Sequence, residues 1–150
     1  MTAAPAEPRE ALTALAEALR AEPTVIADHV VAPDREPVLG MLAASGPRAE
    51  ADPGAYALVV EATYEGYLLH YEEPRVLAGH DEDLALLAGD YLYAVGLDRL
   101  ATLGDTAAVA ILSDLITQCA RLQAEGETTP IPKLWRTAAE QIAAPRENRP

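Results

Sequence analysis

At 150 residues and 15.9 kDa the chain is one domain's worth of protein. Half of its residues are hydrophobic, which favours a packed core over wholesale disorder, and 24 acidic against 11 basic residues give a formal net charge of −13. A field of that sign repels phosphate backbones and anionic membrane surfaces, so nucleic acid is excluded as a natural partner.

Residues 1–8, mostly Ala, Pro and Glu, are expected to be disordered. Leu12, Leu15 and Leu19 repeat at helical spacing and predict a helix over 9–21, closed by Glu22-Pro23. Thr24 is placed to cap a short second helix carrying Val25, Ile26, Val30 and Val31. Asp34 is the next cap, with Pro37 in the first turn, of a helix through Leu39, Met41 and Leu42 that stops at Ser45-Gly46-Pro47. Asp52-Pro53 opens a longer helix to about residue 71 or 73, where Pro74 blocks its continuation. After a loop with Gly79, Asp81 caps the longest helix, to about residue 103, with Glu82 and Asp83 where the helix dipole favours carboxylates. Gly104-Asp105 is a turn, and Thr106 starts a helix to about residue 125 with Gly126 just past its end. Residues 128–132 form a linker, 133–144 a last helix, and 145–150 a flexible tail. The expectation is one all-α domain over 9–144, an antiparallel bundle of about seven helices.

Composition fits that class: the aromatic share is 5% with no Phe, so Ala, Leu and Val carry much of the apolar half. The lone Cys119 excludes a disulfide within the chain and suits a reducing cytoplasm. No secretory signal and no transmembrane segment is expected, and the location read from this is cytoplasmic. His29, His70 and His80 lack metal-ligand spacing, and no phosphate-binding glycine loop or dinucleotide fingerprint is present. No cofactor, metal site or catalytic residue is therefore assigned. The one dense carboxylate group, Glu72, Glu73, Asp81, Glu82 and Asp83, reads as a solvated helix end followed by acidic capping. Residues 84–103 are apolar nearly all round, so that helix is central or buried against a partner chain. Gly89 and Gly96, two turns apart, suggest the close approach of another helix.

Four stretches carry a family resemblance. Asp34-Arg35-Glu36-Pro37 resembles a Gly-Lys-Arg-x-Arg-Pro helix start, and Leu68-Leu69-His70 a Leu-x-His lead into an aspartate-rich motif. Leu86-Leu87-Ala88-Gly89-Asp90-Tyr91-Leu92 resembles an L-L-A-G-D-Y-L helix start, and Arg136-Thr137-Ala138 a Lys-Thr-Ala segment. In order and spacing they resemble the N-terminal half of the trans-polyprenyl diphosphate synthases, which implies half of an isoprenoid-synthase fold. That family holds Mg²⁺ with a DDxxD cluster; the corresponding positions here are Tyr71, Glu72, Glu73, Pro74 and Arg75. Its basic diphosphate ligands are replaced by Pro33, Asp34 and Glu36, leaving Arg35 and Arg136 as the cations of the degenerate site. The phenol of Tyr71 in place of an Asp implies a former metal end that is apolar and dry, and Tyr67 with Tyr71 could line a prenyl channel.

The resemblance therefore implies a catalytically silent relative, like the small subunits of two-component hexaprenyl or heptaprenyl diphosphate synthases. Its expected partner is a full-length catalytic prenyl diphosphate synthase chain, or a second copy of itself in that chain's absence. The expected contact is the helix over 81–103, through Leu84, Leu87, Gly89, Tyr91, Val95 and Gly96. Two other readings stand beside it: a helical adaptor reusing a degenerate half-fold in an unrelated complex, and an isoprenoid-binding protein.

Overall fold

The computed structural model describes residues 4–22 and 24–145. Six α-helices form among them: α1 (Ala11–Ala21), α2 (Val38–Ala44), α3 (Pro53–Tyr71), α4 (Glu82–Thr102), α5 (Thr106–Glu125) and α6 (Ile131–Ala143). Short 3₁₀ turns stand at Pro8–Glu10, Ala27–His29 and Pro47–Ala49. The domain is all-α, as expected, with six helices rather than about seven.

Three long helices start where Asp residues place them. Asp52 accepts from Ala55 N at 3.1 Å, Asp81 from Leu84 N at 2.8 Å and Asp105 from Ala108 N at 3.0 Å. Gly126 closes α5 with φ 73°, the left-handed conformation that favours glycine. The last helix begins at Ile131, inside the expected linker, with Pro132 in its first turn.

Two sequence expectations fail here. No helix follows Thr24: its Oγ1 accepts from Ile26 N, a single 3₁₀ turn follows, and the chain then extends. Val31 N donates to Val76 O, Ala78 N donates to His29 O, and Val30 bridges Leu77. β-branched side chains suit that extended pairing better than a helix. Asp34 does not cap α2 either; Pro37 holds the cap position and has no side-chain acceptor. The first-turn N–H of Gly40 donates instead to Glu61 Oε2 of α3, 2.7 Å away.

α3 is the axis of the bundle. Fifteen of its nineteen residues are buried, because α1, α2 and α4 all pack along it. On one side Leu12, Leu15 and Leu19 of α1 meet Leu58 and Leu69 of α3 and Leu92 of α4. On the other, Tyr56, Val60 and Tyr67 meet Leu112 and Leu115 of α5 and Trp135 and Ile142 of α6. Each fully buried leucine contributes about 1.5–3 kcal/mol. The α3–α4 seam is tight: a Cβ on Gly96 would stand 2.8 Å from Thr63 Oγ1, and one on Gly89 would enter the His70 ring.

The expected loose ends fall, over 1–3 and 146–150, outside the described residues. Between them, the Pro5 carbonyl lies directly over Gly54 at the start of α3. No described helix is long and apolar enough to cross a membrane.

Candidate functional site

A cavity of about 870 Å³ opens between the start of α2, the middle of α3, the loop after α3 and the start of α6. Its size falls within the roughly 300–1,000 Å³ of small-molecule sites. The walls are Val38, Leu39 and Leu42 of α2, Tyr64 and Leu68 of α3, and Pro132 and Trp135 of α6. Arg35, Glu36, Glu72, Glu73 and Arg136 stand at the mouth, all of them exposed. Tyr64 and Trp135 meet edge to face with ring centroids 4.9 Å apart, which fixes the aromatic wall.

The floor is ionic. Glu61 and Glu65 are one helical turn apart on α3 and fully buried, and Arg75 reaches between them. Its Nη1 donates to Glu61 Oε1 at 2.5 Å and its Nε to Glu65 Oε1 at 2.8 Å. Glu65 Oε2 also accepts from the backbone N–H groups of Arg75 (2.6 Å) and Val76 (2.9 Å). The guanidinium lies 4.9 Å from the centre of the Tyr64 ring. Burial pushes the Glu61 carboxyl above its ordinary value, with Arg75 and the Gly40 N–H pulling the other way. Burial would lower the Arg75 pKa, but the two carboxylates together outweigh it and raise it. The cluster ties α2, α3 and the loop after α3 into one unit, and it offers no unengaged base.

The positions singled out by the family resemblance divide in two. Arg35, Glu36, Glu72, Arg75 and Arg136 meet at this cavity. Asp34, His70 and Tyr71 do not line it. His70 turns to α4, where Nε2 lies 3.1 Å from both the Leu86 carbonyl and the Asp90 carboxylate. Tyr71 is 40% exposed and packs beside His70 and Tyr67. Where the resemblance implies an apolar and dry end, over 71–75, the surroundings are ionic instead, because Arg75 folds inward onto Glu61 and Glu65.

Tyr67 and Tyr71 do not line the cavity; the tyrosine in its wall is Tyr64. Tyr67 is buried behind it, with its hydroxyl accepting from Gln123 Nε2 at 3.0 Å and burial raising its pKa to about 12. Motif spacing does not single out Glu61 and Glu65, although two carboxylates four residues apart in an otherwise apolar helix are a visible sign of a buried ion cluster. Cys119 is a packed thiol, raised to about 11 by burial. Among the described residues no group of three or more His, Cys, Asp or Glu is placed to hold a metal ion.

A second ionic cluster braces the opposite side. Asp105 accepts from Tyr56 Oη at 2.6 Å and Arg48 Nη1 at 2.8 Å as well as capping α5. Burial would raise its pKa, but these three bonds lower it. This cluster contributes no residue to the lining of the cavity described above.

The expected contact residues on α4 also separate. Gly89 and Gly96 are buried against α3 of the same chain, so the helix whose approach they allow is internal. Leu87 is 57% exposed and its neighbour Leu86 47%. Leu84, Tyr91 and Val95 are half-buried, and burial, with Glu22 nearby at the end of α1, raises the Tyr91 pKa. No protein-family profile, no curated protein and no solved structure matches the chain.

Proposed function

We propose that the protein is a non-catalytic accessory subunit of a heteromeric long-chain trans-prenyl diphosphate synthase, serving isoprenoid quinone side-chain synthesis in the cytoplasm. It pairs with a full-length catalytic chain through the outer face of α4 and shapes that chain's product cavity. One observation carries the reading: the stretches that resemble the family's motifs, around Arg35-Glu36, Glu72–Arg75 and Arg136, are far apart in sequence yet meet at one cavity. Their chemistry supports a silent role, because Arg75 is engaged by Glu61 and Glu65 and the mouth mixes carboxylates with guanidiniums.

The test is co-expression with a full-length prenyl synthase from the same genome. The two chains should co-purify, and the pair should make a longer product than the synthase alone. The isolated chain should not turn over allylic and homoallylic diphosphates with Mg²⁺. Turnover by the isolated chain, or a synthase whose binding and product are indifferent to it, would sink the reading.

A further inference from the structure

We propose that the cavity between α2, α3 and α6 binds a single-chain amphiphile with a cationic head, and that it disfavours the same chain carrying an anionic one. This goes beyond the subunit reading and does not depend on it, since the chain would bind the ligand by itself. The inner walls are Leu39, Leu42, Leu68, Tyr64 and Trp135, an apolar and aromatic lining suited to a hydrocarbon tail.

The head is decided at the mouth. Arg75 is poorly placed to serve an incoming anion, because its side chain is only 7% exposed and its Nε and Nη1 donate to the Glu65 and Glu61 carboxylates, with Nη2 on the Glu61 backbone carbonyl. That leaves Arg35 and Arg136 against Glu36, Glu72 and Glu73, and Arg136 already has the Glu140 carboxylate 3.5 Å away. Among the residues that line the cavity four carboxylates face three guanidiniums, on a chain of net charge −13. The field at the mouth is therefore negative.

Trp135 is the only tryptophan and stands in the wall, so its emission reports on the cavity. The experiment titrates the full chain with decyltrimethylammonium, decanol and decyl phosphate below their aggregation limits, read by Trp135 emission and by calorimetry. The ammonium should bind saturably, about tenfold tighter than the phosphate at low salt. The gap should shrink at about 1 M salt, where the Debye length is about 3 Å. The exposed double change Glu72→Gln with Glu73→Gln should narrow it severalfold at low salt, while the affinity for decanol stays the same. Tightest binding of the phosphate, a preference indifferent to the double change, or no saturable binding of any of the three would overturn the proposal.

Discussion

α3 and α4 are sequences of the same kind put to different uses. Both are long and Asp-capped, and in both apolar residues fall on every side. In α3 that composition is used up inside the chain, with fifteen of nineteen residues buried. In α4 only six of twenty-one are buried, all on the side facing the core, and Leu86 and Leu87 are left in solvent. Apolar residues on every side are thus explained by burial in one case, while in the other Leu86 and Leu87 are left unexplained. The difference also shows in their charges. α3 carries Glu61 and Glu65 in its buried length and needs Arg75 to neutralise them, whereas the acids of α4 lie at its exposed positions.

The largest effect should come from breaking the α3 cluster. Arg75→Gln leaves two buried carboxylates without their cation and should lower stability by about 3–5 kcal/mol at neutral pH, measured by urea unfolding. The sign with pH follows from Glu61. Its pKa is already raised above the unfolded value, and losing Arg75 raises it further. The variant therefore binds more protons folded than unfolded in that window, and its stability falls as pH rises through it. Its deficit should shrink on acidification toward the ordinary carboxylate range; a deficit independent of pH would place the damage elsewhere.

The seam between the two helices comes next. Gly89→Ala gains about 1 kcal/mol of helix propensity but drives a methyl into the His70 ring, where overpacking costs about 1–3 kcal/mol. The net result should be destabilising by about 1 kcal/mol. In a His70→Ala background the cost of the same change should shrink, with the Gly66 carbonyl 3.0 Å away left as the remaining close contact, and a thermal-melting cycle reads that coupling.

The smallest effect on folding should come from the outer face of α4. Leu87→Glu changes a solvent-exposed side chain and should move stability by no more than about 0.5 kcal/mol. It should nonetheless weaken association with the catalytic chain, because a carboxylate desolvated in an interface without a partner is costly. Sedimentation of the co-expressed pair separates the two effects. Tyr91 is the poorer probe, because it is half-buried and packs against the core.

How far the sequence could be read follows from how local each cause is. The caps at Asp52, Asp81 and Asp105 act within three residues, and those helices start where the residues place them. The cap of α2 is Glu61, twenty-one residues away from Gly40, and no local pattern reveals it. The segment after Thr24 extends because of its pairing with Val76 and Ala78, again a distant cause. At the candidate site, the family resemblance picked out five residues that do meet, but not the Glu61–Glu65 floor that turns Arg75 inward. Nor could spacing alone say whether Gly89 and Gly96 face a partner or α3; only the packed structure decides it.

The subunit reading is tested most directly by amide hydrogen exchange on the chain, alone and in complex with a full-length prenyl synthase. Peptides covering 84–95 of α4 should be the ones that gain protection in the complex, with the α1 peptides unchanged. Protection confined to other elements, or an exchange pattern that the synthase does not alter, would contradict it.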